Sequence, residues 1–176
     1  MKRTALLLAG LLLAPIVLVA QKTSFDYDKT ANFGAMKTYA LKDGTTTGDP
    51  LIDKRIVAAI EAELAAKGLT AAASAPDVVV AYHIAFDKKQ DITAYSTGGV
   101  GAYRWGGGWG TTDVRVNEIL MGTLVIDVAD AKKNEIVWRG MGVKEVDVQA
   151  KADKRDKNIT GAVKKILKDF PPKAKK

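Results

Sequence analysis

The chain has 176 residues, of which 47% are hydrophobic and 27% are charged, and its formal net charge is +7. This composition is typical of a folded domain and excludes a low-complexity or highly charged disordered chain. The absence of cysteine excludes disulfide bonds, cysteine metal sites and a lipid anchor attached through a cysteine.

Residues 1–20 have the pattern of a secretory signal peptide. A basic start precedes an apolar run over residues 4–19, and Ala20 is a small residue suited to cleavage. The alternative is an uncleaved membrane anchor, but the run is short for a span of about 20 residues and Pro15 interrupts it. We therefore predict an exported protein, periplasmic or secreted, with residues 21–176 forming a single domain.

The N-terminal half predicts two short strands and a helix. Residues 24–28 and 37–41 alternate apolar and polar side chains, as strands do. Asp49 is a good helix N-cap, Pro50 fits the first helical position, and Gly68 lies just past the end. The apolar positions between them repeat every four residues and predict an amphipathic helix with one side facing a sheet: Ile52, Ile56, Ile60 and Leu64.

Two further elements flank the C-terminal half. Residues 77–87 are apolar on both alternating faces, which predicts a central strand covered on both sides and ended by polar residues 88–91. Residues 152–170 predict a second amphipathic helix, ended by Pro171 and Pro172.

Residues 118–145 predict a long β-hairpin around a polar turn, Asp130–Asn134. If Ala129 and Glu135 close the turn, two apolar pairs result: Ile126 opposite Trp138, and Val128 opposite Ile136. The same register places Arg139 opposite Val125 and one diagonal step from Asp127. The predicted fold is therefore α+β: a mostly antiparallel sheet with a long hairpin in its C-terminal half, backed by two amphipathic helices.

No set of residues predicts catalysis, metal binding or a cofactor. His83 is the only histidine, and it lies on an apolar strand without a second metal-binding neighbour, which favours a structural role. Spacings of known metal motifs are absent from the sequence. We predict a non-enzymatic binding module, with an envelope hydrolase using His83 or carboxylates at the sheet end as the alternative.

The segment 97–112 is the candidate binding region. It holds seven of the chain's 16 glycines but lacks a phosphate-loop motif. Four side chains are candidates for contact with a sugar, peptide or partner protein: Tyr103, Arg104, Trp105 and Trp109. The alternative is a loop whose aromatic side chains fold back onto the sheet.

Export restricts the expected partners to an envelope protein or a cell-wall component and argues against nucleic acid. The lysines near the C-terminus, including residues 173–176, allow weak contact with an anionic membrane surface. A solvated helix face with a frayed end is the alternative.

Several segments together resemble the bacterial envelope family catalogued as domain of unknown function 4136. They are FDYDKTANFGAMKTYAL, DPLIDKRIVAAIEAELAAKGL, PDVVVAYHI, GTLVIDVADAKKNEIVWRG and the final FPP, and the most specific pieces are Ala66-Lys67-Gly68-Leu69, Pro76-Asp77, Gly122-Thr123-Leu124 and Trp138-Arg139-Gly140. The resemblance implies a secreted or envelope-associated bacterial domain, often a lipoprotein, with no established activity.

This chain departs from the family's lipoproteins because it has no cysteine to acylate, and no catalytic residue can be carried over. The motif residues nevertheless have physical explanations. Gly68 should end the first helix, Gly122 and Gly140 should admit a helix or ring close to a strand, and Trp138 should lie in the core.

Overall fold

The computed structural model describes residues 22–96 and 112–173, which form a six-stranded sheet and two helices. The strands are β1 (Lys22–Tyr27), β2 (Thr38–Leu41), β3 (Thr70–Ala71), β4 (Val78–Ser96), β5 (Thr112–Asp130) and β6 (Glu135–Glu145); the helices are α1 (Pro50–Ala66) and α2 (Ala152–Ile166), and 3-10 turns cover Phe33–Ala35 and Leu167–Asp169. The predicted leader, residues 1–20, lies outside the described residues.

The α+β class is confirmed, and the sheet is mixed. Its strand order is β1-β6-β5-β4-β2-β3, antiparallel except where β2 pairs in parallel with β3 and β4. These parallel pairs arise because α1 carries the chain across the sheet between β2 and β3. The short β3 falls within a segment expected to be only a connection, because two residues give no alternation to recognise.

Asp77 joins β2 to the start of β4. Its Oδ2 accepts hydrogen bonds from the backbone amides of Lys37 and Thr38 and from the Thr38 hydroxyl, each at 2.9 Å. These bonds, first that from the Lys37 amide, hold the pKa of the Asp77 carboxyl below its usual value. The Pro76-Asp77 motif therefore has a structural role at this strand junction.

The ends of α1 agree with the sequence prediction. The Asp49 carboxylate accepts from the amides of Leu51 and Ile52, and Pro50 is the first helical residue. Gly68 has φ +83°, a left-handed conformation that glycine adopts without steric cost. By contrast, α2 ends at Ile166 and continues as a 3-10 turn, so the predicted helix over 152–170 is too long.

The predicted end of the central strand at residues 88–91 is wrong, since β4 continues to Ser96. It pairs with β5 along its full length, from Val78 with Asp130 to Ser96 with Thr112. The strand continues because backbone hydrogen bonds to β5 form regardless of whether the side chains are polar. Lys88 also forms an ion pair with Glu118 at 3.5 Å.

The turn between β5 and β6 lies where the sequence predicts it, but the predicted register is wrong. Asp130 pairs with Glu135, and beyond a bulge Val128 pairs with Trp138 and Ile126 with Gly140. Val137 is the additional residue in β6, and its carbonyl accepts from the Asp28 amide of the β1 end at 2.9 Å. Arg139 therefore lies directly opposite Asp127 rather than diagonally.

Both helices cover the same face of the sheet, which we call the covered face. The core between them combines residues from α1, α2 and alternate positions of the strands: Tyr39, Ile56, Ile60, Leu64, Val78, Val80, Tyr82, Ile126, Val128, Trp138, Val163, Ile166 and Phe170. Trp138 is fully buried, as predicted, and its ring meets that of Phe170 edge-on at 5.2 Å.

Gly140 explains how the indole fits. A Cβ at this position would come within 2.8 Å of Ile166 Cγ2 and still closer to the Trp138 ring, so the absence of a side chain admits both. The predicted close approach at Gly140 is confirmed.

The other side of the sheet, which we call the open face, carries neither helix. The prediction that the central strand is covered on both sides is therefore wrong for the described part of the chain. Its opposite face holds small side chains and His83, which alternation alone does not distinguish from core positions. Within residues 22–96 and 112–173, no helix combines the length and the apolar character needed to cross a bilayer.

Candidate functional site

The four sequence-predicted contact residues are Tyr103, Arg104, Trp105 and Trp109, and they lie outside the described residues. They belong to the segment 97–111, which connects the paired ends of β4 and β5 at Ser96 and Thr112. Their proposed role therefore stays a prediction.

On the covered face, an apolar groove separates the N-terminal parts of the two helices. Its volume is about 370 Å³, and we call it the interhelical groove. Ile52 and Ile56 of α1 form one wall, and Ile159 and Ala162 of α2 form the other. The floor consists of sheet residues: Ile84, Phe86, Leu120, Gly122, Leu124 and Gly142.

Two glycines keep this floor low. Gly122 and Gly142 project no side chains between the helices, in contrast to the large residues that fill the other end of this layer. A Cβ at Gly122 would lie 2.8 Å from Val146 Cγ2 and 3.6 Å from Phe86 Cε1. The predicted close approach at Gly122 is therefore present: the nearest side chain is that of Val146, just past β6, and the Phe86 ring comes next.

Lys144 and Arg155 supply positive charge at the rim of the groove. The Lys144 ammonium donates to Asn158 Oδ1 at 2.7 Å, and Arg155 Nε donates to the carbonyl of Ala150 at 2.8 Å. Among the described residues, neither cation forms an ion pair. Each therefore retains donors for another acceptor.

The acidic residues at the same rim are differently engaged. Asp49 caps α1, and Asp147 forms an ion pair with Lys154 at 2.8 Å. The Lys154 hydrogen bond is the main reason that the pKa of Asp147 lies below its usual value. Glu145 also lines the groove, so three carboxylates share its rim with Lys144 and Arg155.

On the open face, His83 lies in a chain of polar contacts. Its Nδ1 is 3.1 Å from both the amide nitrogen and the hydroxyl of Thr45, and its Nε2 is 3.7 Å from Asp127 Oδ2. Arg139 binds the same carboxylate through two bonds, Nε to Oδ1 at 2.6 Å and Nη2 to Oδ2 at 2.7 Å. This hydrogen bonding raises the pKa of Arg139.

The donor pattern around His83 determines what the ring can do. A backbone amide can only donate, so Nδ1 is the acceptor for Thr45 and the ring proton lies on Nε2. Asp127 is only 4% exposed, and both of its oxygens are engaged by Arg139. The 3.7 Å gap from His83 to Asp127 exceeds a hydrogen bond, so the carboxylate does not orient the imidazole.

A second cleft, of about 650 Å³, lies at the end of the domain opposite the interhelical groove. Its lining includes one acidic residue, Asp28, and four lysines: Lys29, Lys37, Lys67 and Lys173. The Asp28 carboxylate accepts from the amide and hydroxyl of Thr30, which lowers its pKa. Within the described residues, no group of three or more metal-binding side chains comes together.

The sequence did not predict the groove, and it placed Arg139 one diagonal step from Asp127 rather than directly opposite it. Gly142, two residues after Gly140 on the same side of β6, was the available signal for a depression in the covered face. The difference arises from the bulge at Val137, which shifts Arg139 into direct register with Asp127.

Two solved structures show how this fold occurs elsewhere. A PDZ domain protein from Parabacteroides distasonis is 19% identical with a TM-score of 0.56, and the match covers 87% of this chain and 35% of that one. The present chain thus spans about a third of that protein's length. The PelC dodecamer from Paraburkholderia phytofirmans is 11% identical with a TM-score of 0.50, covering 84% of this chain and 95% of its own. At these identities the likeness concerns the fold alone.

No curated protein matches this sequence. A family model does match, over residues 23–172, which is nearly the whole described domain. The resemblance carried by the helix ends, the Pro76-Asp77 junction and the Trp138–Gly140 motif is thereby confirmed. The chain belongs to the family described as domain of unknown function DUF4136.

Proposed function

We propose that this protein is a non-enzymatic binding module of the bacterial cell envelope, which takes up an apolar ligand in the interhelical groove. The groove itself carries the proposal. Its volume of about 370 Å³ falls within the roughly 300–1,000 Å³ of small-molecule sites, and its walls and floor are mostly apolar with few polar groups at the rim. The signal-peptide pattern of residues 1–20 supports an exported location, periplasmic or secreted.

The construction of the groove supports binding rather than incomplete packing. Isoleucine side chains of both helices and two strand glycines shape it, and Phe86, 47% exposed, leaves apolar ring surface available at its floor. Burial of such surface by a ligand contributes roughly 25 cal/mol per Å². A ligand would therefore gain affinity by contact alone.

The test uses N-phenyl-1-naphthylamine, a neutral apolar probe whose fluorescence rises on burial. The purified chain should bind it saturably with one site, and Ala162→Phe, which fills the groove from α2, should weaken binding about tenfold. Ala65→Phe is the matched control, because this exposed α1 alanine lies outside the groove. Equal binding by the chain and both variants would contradict the proposal.

The sequence-predicted contact residues give a second, separate test of a partner in the envelope. Replacing Tyr103, Arg104, Trp105 and Trp109 with alanine should reduce retention on cell-wall material or on an envelope protein. Deleting residues 173–176 should in turn remove any salt-sensitive binding to anionic vesicles. Unchanged retention after the fourfold substitution would remove the glycine-rich segment from the proposal.

A hydrolase remains the second candidate, because Thr45, His83 and Asp127 come together on the open face. Two features argue against activation of the Thr45 hydroxyl as a nucleophile. The Nδ1 lone pair of His83 already accepts from the Thr45 amide, and the Asp127 carboxylate is bonded to Arg139. Ester hydrolysis of p-nitrophenyl acetate should therefore be the same for the chain and for His83→Ala. A loss of hydrolysis in both His83→Ala and Thr45→Val would favour the enzyme.

A further inference from the structure

We infer that the interhelical groove binds an unbranched fatty acid, with the alkyl chain along its apolar floor and the carboxylate between Lys144 and Arg155. The inference rests on the proposed binding function and adds the chemistry of the ligand. It follows from the shape of the floor, the placement of the two cations and the engagement of the acidic residues around them.

The floor fits a linear chain. Gly122 and Gly142 are the low points, while Ile52, Ile56, Ile159 and Ala162 form walls on either side. All of these groups are aliphatic or lack a side chain, so they offer contact surface without hydrogen-bond partners. A polar ligand such as a sugar would lose its hydrogen bonds to water along this floor, whereas an alkyl chain has none to lose.

The cations specify the headgroup. Lys144 lies on β6 next to the floor, with its ammonium held by Asn158 at 2.7 Å, and this bond uses one of its three donors. Arg155 in the first turn of α2 has its Nε bonded to the Ala150 carbonyl, which leaves its terminal nitrogens available. A carboxylate accepts well from an ammonium and a guanidinium together.

Two of the three acidic side chains at the rim are engaged by other groups. The Asp49 carboxylate accepts from two amides of α1, and the Asp147 carboxylate pairs with Lys154. Glu145, the last residue of β6, also lines the groove beside Lys144. Lys144 and Arg155 nevertheless keep donors that an anionic headgroup can use.

The experiment compares three probes that share one alkyl chain: dodecanoate, dodecanol and dodecyltrimethylammonium. The chain is first stripped of bound lipid on a hydrophobic resin, and displacement of N-phenyl-1-naphthylamine is then measured. Dodecanoate should bind about tenfold more tightly than dodecanol, and it should also bind more tightly than the cationic amphiphile.

Two variants locate the headgroup. Lys144→Met keeps the apolar stem but removes the charge, and it should weaken dodecanoate about tenfold while dodecanol binding is unchanged. Arg155→Met, at an exposed position that tolerates substitution, should act in the same direction. Lys164→Met is the matched control on α2 outside the groove and should leave both probes unaffected.

The outcomes separate this inference from the proposed function. The headgroup assignment is wrong if dodecanol binds as tightly as dodecanoate and if Lys144→Met binds both probes as Lys164→Met does. Weaker binding of both probes by Ala162→Phe would in that case still support an apolar site. If no probe binds, the groove is not a ligand site, and both the inference and the proposed function are wrong.

Discussion

The two faces of the sheet are made by the same strands, yet they do different things. On the covered face, Trp138 and Ile126 are fully buried against the helices. On the open face the same strands carry Arg139 and Met141. Asp127, the one charged residue buried in the described part of the chain, is held there by hydrogen bonds rather than by packing. Alternation along a strand thus separates a hydrophobic core from a polar network within one backbone.

The comparison shows where stability and binding capacity lie. Large apolar side chains fill the covered face near the β5–β6 turn, whereas the strand glycines leave the interhelical groove at its other end. Among the described residues, the open face buries much less apolar surface. We therefore expect stability to depend on residues of the covered face, and substitutions of similar size on the open face to cost less.

The largest expected effect is that of Trp138→Ala. Removing a fully buried indole leaves a cavity beside Phe170 and Phe25, and such substitutions cost about 3–5 kcal/mol of unfolding free energy. Met141→Ala is the matched substitution on the open face of the same strand and should cost less than about 1 kcal/mol, because Met141 is 39% exposed. Urea unfolding measures both, and equal losses would break the comparison.

Gly140→Ala tests the covered face by adding volume instead of removing it. The new Cβ would collide with the Trp138 ring and Ile166, and overpacking of this kind costs about 1–3 kcal/mol. Gly161→Ala in α2 is the control of opposite sign, because its Cβ would meet no atom within 4 Å. Alanine is favoured over glycine inside a helix by about 0.5–1 kcal/mol, so this variant should be stabilised. Thermal unfolding distinguishes the two, and a neutral Gly140→Ala would show that the indole can shift.

Arg139→Met tests the polar network of the open face. It leaves the buried Asp127 carboxylate without its two hydrogen bonds, yet the side chain of Arg139 is 55% exposed and partly screened by water. We expect a loss of about 1–2 kcal/mol, below the 3–5 kcal/mol of fully buried pairs. Combining it with Asp127→Asn should recover part of the loss. A double variant less stable than Arg139→Met would contradict the pairing.

The ends of α1 and the bulge in β6 differ in how well the sequence predicts them. The ends of α1 were predictable because Asp49, Pro50 and Gly68 act within a few residues of themselves. The bulge in β6 was not predictable, because Ile136 and Val137 are both apolar and the local sequence does not indicate which of them interrupts the alternation. In the structure Val137 is buried and Ile136 is 52% exposed. That choice is made by the neighbouring β1, whose Asp28 amide bonds to the Val137 carbonyl.

The candidate site was less predictable than the fold. Its walls come from α1 and α2, which are separated by about 100 residues of sequence, so the groove depends on how far apart the helices settle on the sheet. Sequence supplied the apolar stripes and the glycines but not that spacing. The charges at its rim were equally hidden, because Lys144 and Glu145 both line the groove although alternation places them on opposite faces of β6.

The smallest expected effect concerns Tyr82, whose phenol joins the covered face to α1. The Tyr82 hydroxyl donates to Asp53 of α1 at 2.9 Å. Burial, and then this hydrogen bond, raises the pKa of Tyr82 to about 12. At the other end of the bond, burial raises the pKa of Asp53, but hydrogen bonds from the Thr47 amide and Tyr82 outweigh it and leave that pKa lowered.

Tyr82→Phe should therefore cost about 0.5–1.5 kcal/mol near neutral pH, the usual net value of such a bond. The folded chain holds the phenol proton more tightly than the unfolded chain, whose tyrosine pKa is about 10. The contribution of Tyr82 is thus complete below about pH 10 and is lost as the pH rises towards 12. Urea midpoints should show the gap between the chain and Tyr82→Phe narrowing over that interval. A gap between the chain and Tyr82→Phe that stays constant over this interval would show that the bond to Asp53 does not couple helix and sheet.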